Sequence, residues 1–153
     1  MESSNKSKIV LNDILVKLFN NILEIEQNAL KQGPLNDLSI TEIHTIEAIG
    51  MYESKIMTEV ANDLGITTGT LTTAINKLVK KEYVERSRGE EDRRAVKIAL
   101  TKKGKLAYRV HEKFHHDMVE EIMCDLTQEK EEVLIEALSK LNIYFSEKCT
   151  KHK

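Results

Sequence analysis

The apolar period of this chain changes twice, and that change restricts the fold more than any other feature. Up to Leu78 hydrophobic residues return at every third or fourth place, the spacing of helices that bury one face. From Tyr83 to Leu100 the step shortens. Val96, Ile98 and Leu100 alternate with Lys97 and Ala99, as a half-buried strand requires. Beyond Thr101 the helical step returns and holds to Phe145. A chain patterned this way wraps helices around one small hairpin.

Six glycines and one proline leave few places to stop a helix. The first helix runs from Ile9 to Leu30, with Leu11, Ile14, Leu15, Leu18, Ile22 and Ile25 on its stripe, and Gly33-Pro34 ends it. Ser39-Ile40-Thr41-Glu42 reads as a capping box opening a second helix, which carries Ile43, Ile46 and Ile49 and stops at Gly50. A short third helix spans Ile56 to Leu64 and ends at Gly65. Thr67 caps a fourth, whose core stripe is Leu71, Ile75 and Leu78. Tyr83 to Arg88 and Ala95 to Leu100 form the hairpin, joined by six polar residues that begin at Gly89. Thr101-Lys102-Lys103-Gly104 opens a fifth helix, with Leu106, Val110, Phe114, Met118 and Ile122 as its stripe. Thr127 caps a sixth, which carries Val133, Leu134, Ala137, Leu138, Leu141 and Phe145. The expected fold is mainly α with a small β-wing, and residues 1–153 form one domain.

Charges interrupt every apolar run, so no stretch reaches the roughly 18 to 20 apolar residues of a membrane span. The polar N-terminus lacks the apolar core of a signal peptide, and the expected location is the cytoplasm. Cys124 and Cys149 have no metal-type neighbour at short spacing and read as reduced thiols, one buried and one on a tail. The formal net charge is −2, but its distribution is uneven. Between Gly65 and Lys105 eleven lysines and arginines face five acids, a net of +6 in a chain whose remainder is −8. A basic lobe on an acidic body is the electrostatic footprint of a nucleic-acid reader; a solvated charged face is the alternative.

The fourth helix gives that lobe a reading head. Opposite its core stripe lie Gly69, Thr73, Asn76 and Lys80, flanked by Thr67, Thr68, Thr70, Thr72 and Lys77. Small hydroxyls let a helix lie deep in a major groove, where threonine meets a base edge or a thymine methyl. Asn76 can pair bidentately with adenine, and the lysines suit phosphates. Threonine is a mediocre helix former, so this crowding of threonines is a poor choice for stability alone. The hairpin adds a second contact. Arg93 or Arg94 at its tip can enter a narrow A·T minor groove, while Arg86 and Arg88 on the rising strand lie near phosphates. Asp92 is itself repelled by DNA, and its role is to orient an arginine through a paired contact.

Ala61 and Gly65, with Tyr83-Val84-Glu85-Arg86, Glu91-Asp92-Arg93-Arg94 and Leu100-Thr101-Lys102-Lys103-Gly104, resemble the MarR family of winged-helix regulators over nearly the whole chain. The resemblance implies six helices, with a winged helix-turn-helix lobe over 55–101 and dimerisation helices over 5–32 and 102–148. It also implies a homodimer that sets one fourth helix on each half of a pseudo-palindromic double-stranded operator, with Arg94 in the minor groove. The wide apolar stripes of the first and last two helices, with little chain left to cover them, call for a homodimer independently; a monomeric bundle is the alternative. Phe19-Asn20-Asn21, Ile25-Glu26, Glu42-Ile43-His44-Thr45-Ile46, Gly69-Thr70-Leu71-Thr72-Thr73 and His111-Glu112-Lys113-Phe114-His115 are similar to the branch of that family that represses fatty-acid-synthesis genes in Gram-positive bacteria. That likeness implies a long-chain acyl chain on acyl carrier protein as corepressor. Its tail would enter an apolar tunnel near the first two helices, lined by Leu18, Ile22 and His44, positions that also suit ordinary core.

Other readings compete for the effector. His111 and His115 lie four apart on one helix face, a spacing suited to two metal ligands, with His44 or Glu42 able to join them. A zinc-responsive or small phenolic- or drug-responsive regulator is therefore the alternative function. Acids beside Cys124 disfavour a thiolate there, which weakens a redox reading. Enzymatic activity lacks its requirements, since the chain carries no phosphate-binding glycine loop and no nucleophile paired with a base. No cofactor is expected.

Overall fold

A computed structural model of the chain describes residues 2–88 and 96–150. In chain order its elements are α1 (Glu2–Gln32), α2 (Ile40–Ile49), β1 (Lys55–Ile56), α3 (Met57–Leu64), α4 (Thr68–Lys80), β2 (Val84–Arg88), β3 (Val96–Leu100), α5 (Lys102–Met123) and α6 (Gln128–Thr150). They fall into two compact units, the first ending at His111 and the second beginning at Glu112.

The core of the first unit is a cluster of aliphatic side chains from α2, α3 and α4. Ile43, Ile46, Ile49, Val60, Leu71, Ile75 and Leu78 are all buried, Tyr83, Ile98 and Leu100 close the cluster from the sheet side, and Ala107 closes it from α5. Each such residue withdrawn from water contributes about 1.5–3 kcal/mol before chain entropy is set against it. The capping box forms as expected. Ser39 Oγ accepts from the Glu42 N–H at 3.3 Å, and the Glu42 carboxylate accepts from the Ser39 N–H at 2.8 Å.

Two tight stops frame α4. Gly65, with φ of 66°, ends α3; its N–H donates to Asn62 O and the Ile66 N–H donates to Ala61 O. Thr67 then caps α4 by accepting from the Thr70 N–H at 3.2 Å. At the far end Glu82 takes the same left-handed conformation, also at φ 66°. Its N–H donates to Val79 O, and that of Tyr83 to Leu78 O. This is the Schellman stop, built once with glycine and once with a glutamate.

The sheet has three antiparallel strands in the order β1-β3-β2, with Val84 opposite Leu100 and Arg88 opposite Val96. Strand β1 corrects the expectation that the third helix starts at Ile56. Lys55 and Ile56 pair with Ile98 and Lys97, and α3 begins one residue later, where the Glu59 carboxylate accepts the Ile56 N–H. Two residues are too few for alternation to show, and the pairing exists only because β3 offers a free edge. The first helix is also longer than its apolar stripe, since α1 already includes Glu2.

The inward face of α5 is a further correction. Within the first unit Gly104, Ala107 and His111 are buried, whereas Leu106 is 60% exposed. The cause is the close approach of α5 to the end of α4. A Cβ on Gly104 would stand 2.1 Å from Tyr83 O, so only glycine fits, and its position fixes which face turns inward.

In the second unit, residues 112–123 of α5 and helix α6 are joined by a short turn in which the Leu126 N–H donates to Met123 O. Val119, Ile122, Val133, Ile135, Leu138 and Phe145 are exposed there. Cys124 and Cys149 are both exposed, which corrects the expectation that one is buried. Among the described residues no helix is long and apolar enough to cross a membrane.

Candidate nucleic-acid interface

The buried stripe of α4, Leu71, Ile75 and Leu78, fixes what the opposite side presents. Thr67, Thr68, Gly69, Thr70, Thr72, Thr73, Asn76, Lys77 and Lys80 are all exposed, so the structure brings these residues together on one surface. A Cβ placed on Gly69 would meet nothing nearer than Thr67 Oγ1 at 3.9 Å. Packing inside the fold therefore does not demand glycine there, and the bare backbone leaves this part of the surface open. The hydroxyls are held by the helix itself. Thr72 Oγ1 donates to Thr68 O at 2.8 Å, and Thr73 Oγ1 donates to Gly69 O at 3.4 Å. The first turn of α4 contains no acid and its last turn holds Lys77 and Lys80. Anion-attracting N–H groups thus stand at one end and cations at the other.

On the hairpin, Arg86 is exposed on β2 opposite Ile98 of β3, and Arg88 ends the strand opposite Val96. Asp92, Arg93 and Arg94 lie outside the described residues. The base of the wing is held by the Leu-Thr-Lys-Lys-Gly segment. Thr101 Oγ1 donates to Glu82 O at 2.6 Å and accepts from the Gly104 N–H at 3.1 Å, and Lys103 Nζ donates to Lys81 O at 2.9 Å. The residues that mark the family motif therefore tie the exit of α4 to the head of α5.

Away from this face, the first unit holds a charged cluster that the sequence reading did not assemble. The His111 ring, 2% exposed, lies between two carboxylates. Its Nδ1 is 2.6 Å from Glu47 Oε1 and its Nε2 is 2.7 Å from Glu26 Oε1. His44 Nε2 reaches the same Glu26 oxygen at 2.8 Å. A neutral imidazole has one N–H, so two carboxylate contacts call for the imidazolium. Burial pulls the His111 pKa down, but hydrogen bonds and charge from Glu47 and Glu26 overcome this and hold it above its usual value. The cluster joins α1, α2 and α5. Its signal in the sequence is an acid and a histidine on inward faces: Glu26 stands four places from Ile22 and Leu30, and His111 four from Ala107.

Of the residues expected to line an effector tunnel, Leu18 is exposed on α1, Ile22 is half-buried, and His44 is engaged by Glu26. His115 lies in the second unit, half-buried and edge-on to Phe114 with ring centroids 5.3 Å apart.

A short helix pair, a helix with an exposed threonine and asparagine face, and an antiparallel wing together define a winged helix-turn-helix DNA-binding protein. The pattern of the MarR family matches residues 38–96. The structure of Streptococcus pneumoniae FabT in complex with DNA is similar over 92% of this chain and 98% of that one, with 39% identity and a TM-score of 0.88. The chain belongs to the MarR family of DNA-binding transcriptional regulators. It is also similar to the regulator SarZ of Staphylococcus aureus (strain USA300), 38% identical over 69 residues, or 45% of this chain and 47% of that protein. With PchR of Bacillus subtilis it shares 24% identity over 106 residues, 67% of this chain and 63% of PchR. The chain thus spans less than two thirds of these two curated relatives.

Proposed function

We propose that this protein is a repressor of fatty-acid-biosynthesis genes that binds a pseudo-palindromic operator as a homodimer and responds to long-chain acyl-acyl carrier protein. The observation that carries this reading is the likeness to FabT bound to DNA, which extends over 98% of that chain. Homodimerisation is supported by α1, where Ile9, Leu11, Ile14 and Phe19 are 48–64% exposed and need a cover. In the proposed complex Thr67, Thr68, Gly69, Thr70, Thr72, Thr73, Asn76, Lys77 and Lys80 meet the major groove and its edges. Arg86 and Arg88 meet phosphates, and Arg93 and Arg94, oriented by Asp92, meet the minor groove. Leu18, Ile22 and His44 face the acyl tail.

Mapping the sites bound across the source genome tests the gene assignment, and sites away from fatty-acid-synthesis genes would overturn it. A gel shift with loaded and unloaded carrier protein tests the effector. Equal operator affinity with both would remove the lipid and leave the DNA reading intact.

A second reading is favoured by one specific observation. Glu26 Oε1 lies 2.8 Å from His44 Nε2 and 2.7 Å from His111 Nε2 in the first unit, and once His111 gives up a proton this carboxylate and imidazole are donors of the kind zinc takes. Zinc titration of the purified protein, followed by operator binding, separates the two. Tight stoichiometric zinc uptake that changes operator affinity would favour the metal.

A further inference from the structure

Three lysines end α4, and they do not do the same thing. Lys77 and Lys80 are exposed on the face described above. Lys81, the next residue, is turned inward. Its Nζ donates to both oxygens of Glu42, at 2.9 and 2.8 Å, and to the backbone carbonyl of Asp37. Glu42 is buried and already engaged at the start of α2, where it accepts the Ser39 N–H. Asp37, in the segment between α1 and α2, accepts the Tyr83 hydroxyl at 2.7 Å. The backbone carbonyl of Lys81 takes the Lys103 ammonium at 2.9 Å, and that ammonium also lies 4.1 Å above the Tyr83 ring. The side chain and carbonyl of one residue thus join the exit of α4 to the start of α2, to the α1–α2 segment and to the head of α5.

We propose that Lys81 is a positioning residue for operator recognition: it fixes the direction of α4 against α2 and does not touch DNA. The inference rests on the reading of α4 as the recognition helix. Apart from its end, α4 is held by Leu71, Ile75 and Leu78, and apolar packing is non-directional. A helix held that way can roll or slide by a fraction of an ångström at small cost, whereas base-edge contacts tolerate little displacement. A directional tether at the helix end removes that freedom. A largely buried ion pair contributes little net stability and is better suited to specifying geometry, and here the geometry specified is that of the reading face.

The test compares Lys81→Met, Lys81→Arg, Glu42→Gln and the Lys81→Met/Glu42→Gln double variant with wild type. Lys80→Ala serves as the phosphate-contact control. Operator affinity is read by fluorescence anisotropy over a potassium chloride series. Lys81→Met and Glu42→Gln should each weaken binding by about tenfold, the double variant by no more than either alone, and Lys81→Arg by less. Their salt slopes should stay at the wild-type value, while Lys80→Ala lowers the slope by about one. A slope reduced by about one in Lys81→Met, with Glu42→Gln binding like wild type, would make Lys81 a phosphate contact and overturn the proposal. Unchanged affinity in folded variants would reduce the tether to packing and overturn it equally. If Lys81→Met does not fold, Glu42→Gln alone decides, because its amide oxygen can keep the Ser39 contact while the charge and one of the two acceptors for Lys81 are lost. Wild type that binds no operator in the same titration would instead sink the recognition-helix reading.

Discussion

At the scale of single residues, hydrogen-bond bookkeeping limits what each side chain can offer. Thr72 has one hydroxyl proton and gives it to Thr68 O, so only acceptor lone pairs remain for a partner. In the major groove the matching donors are the amino groups of adenine and cytosine. Thr72→Val, which keeps the shape and the methyl, should weaken operator binding by about 1–3 kcal/mol and leave random-sequence binding nearly unchanged. Competition titration against both duplexes checks this, and equal behaviour of valine and threonine would mean the hydroxyl is not read. Glu42 makes a different prediction. Burial alone raises its carboxyl, yet Lys81 and the Ser39 contacts hold it below its usual value. A carboxyl lowered on folding adds stability above the unfolded value of about 4.3, and that stability is lost as pH falls through the lower folded value. Urea denaturation should therefore show wild type losing more stability than Glu42→Gln between about pH 5 and pH 3. Parallel curves would mean that the Lys81 pairing does not hold the proton off.

At the scale of elements, the two stops around α4 form a natural comparison. Gly65 adopts its left-handed backbone without penalty, whereas Glu82 adopts the same one against its Cβ. Glu82 is exposed, so Glu82→Gly should raise stability by about 1 kcal/mol, read as a higher urea midpoint at constant slope. A lower midpoint would show that the glutamate side chain has contacts worth more than its strain. The helices and the hairpin are legible in the sequence because each carries a local signature: the box from Ser39 to Glu42, glycine at 65, and alternation from Val96 to Leu100. The exposed face of α4 is legible for the same reason, since its stripe of Leu71, Ile75 and Leu78 is local. What the sequence hides is set by distant partners. Strand β1 needs β3 some forty residues on, and His111 meets Glu26 across 85 residues. Lys81 differs from Lys80 only because Glu42 waits for it, and a run of lysines carries no mark of which one turns inward.

At the scale of the whole molecule, the net charge of −2 and the basic lobe make opposite contributions to DNA binding, and the proposed homodimer would tip the balance toward binding. One lobe touches few phosphates, and the acidic remainder repels the duplex. Two lobes joined through apolar faces such as that of α1 double the released counterions, and the second contact becomes intramolecular, with a gain of about 10²–10⁴ in avidity. Leu11, 48% exposed near the start of α1, lies well away from the DNA-reading lobe in sequence and belongs to that apolar face. Leu11→Asp places a charge in the proposed contact between copies and leaves the core cluster untouched. The variant should run as a monomer in light scattering and lose about 10²-fold or more in affinity for an operator with two half-sites. It should keep its affinity for an isolated half-site. Its salt slope on the full operator should fall to about half the wild-type value, because one lobe displaces half as many counterions. A monomer that retains the full slope would mean that each chain contacts both half-sites. A variant that remains dimeric would place the interface elsewhere than this face of α1.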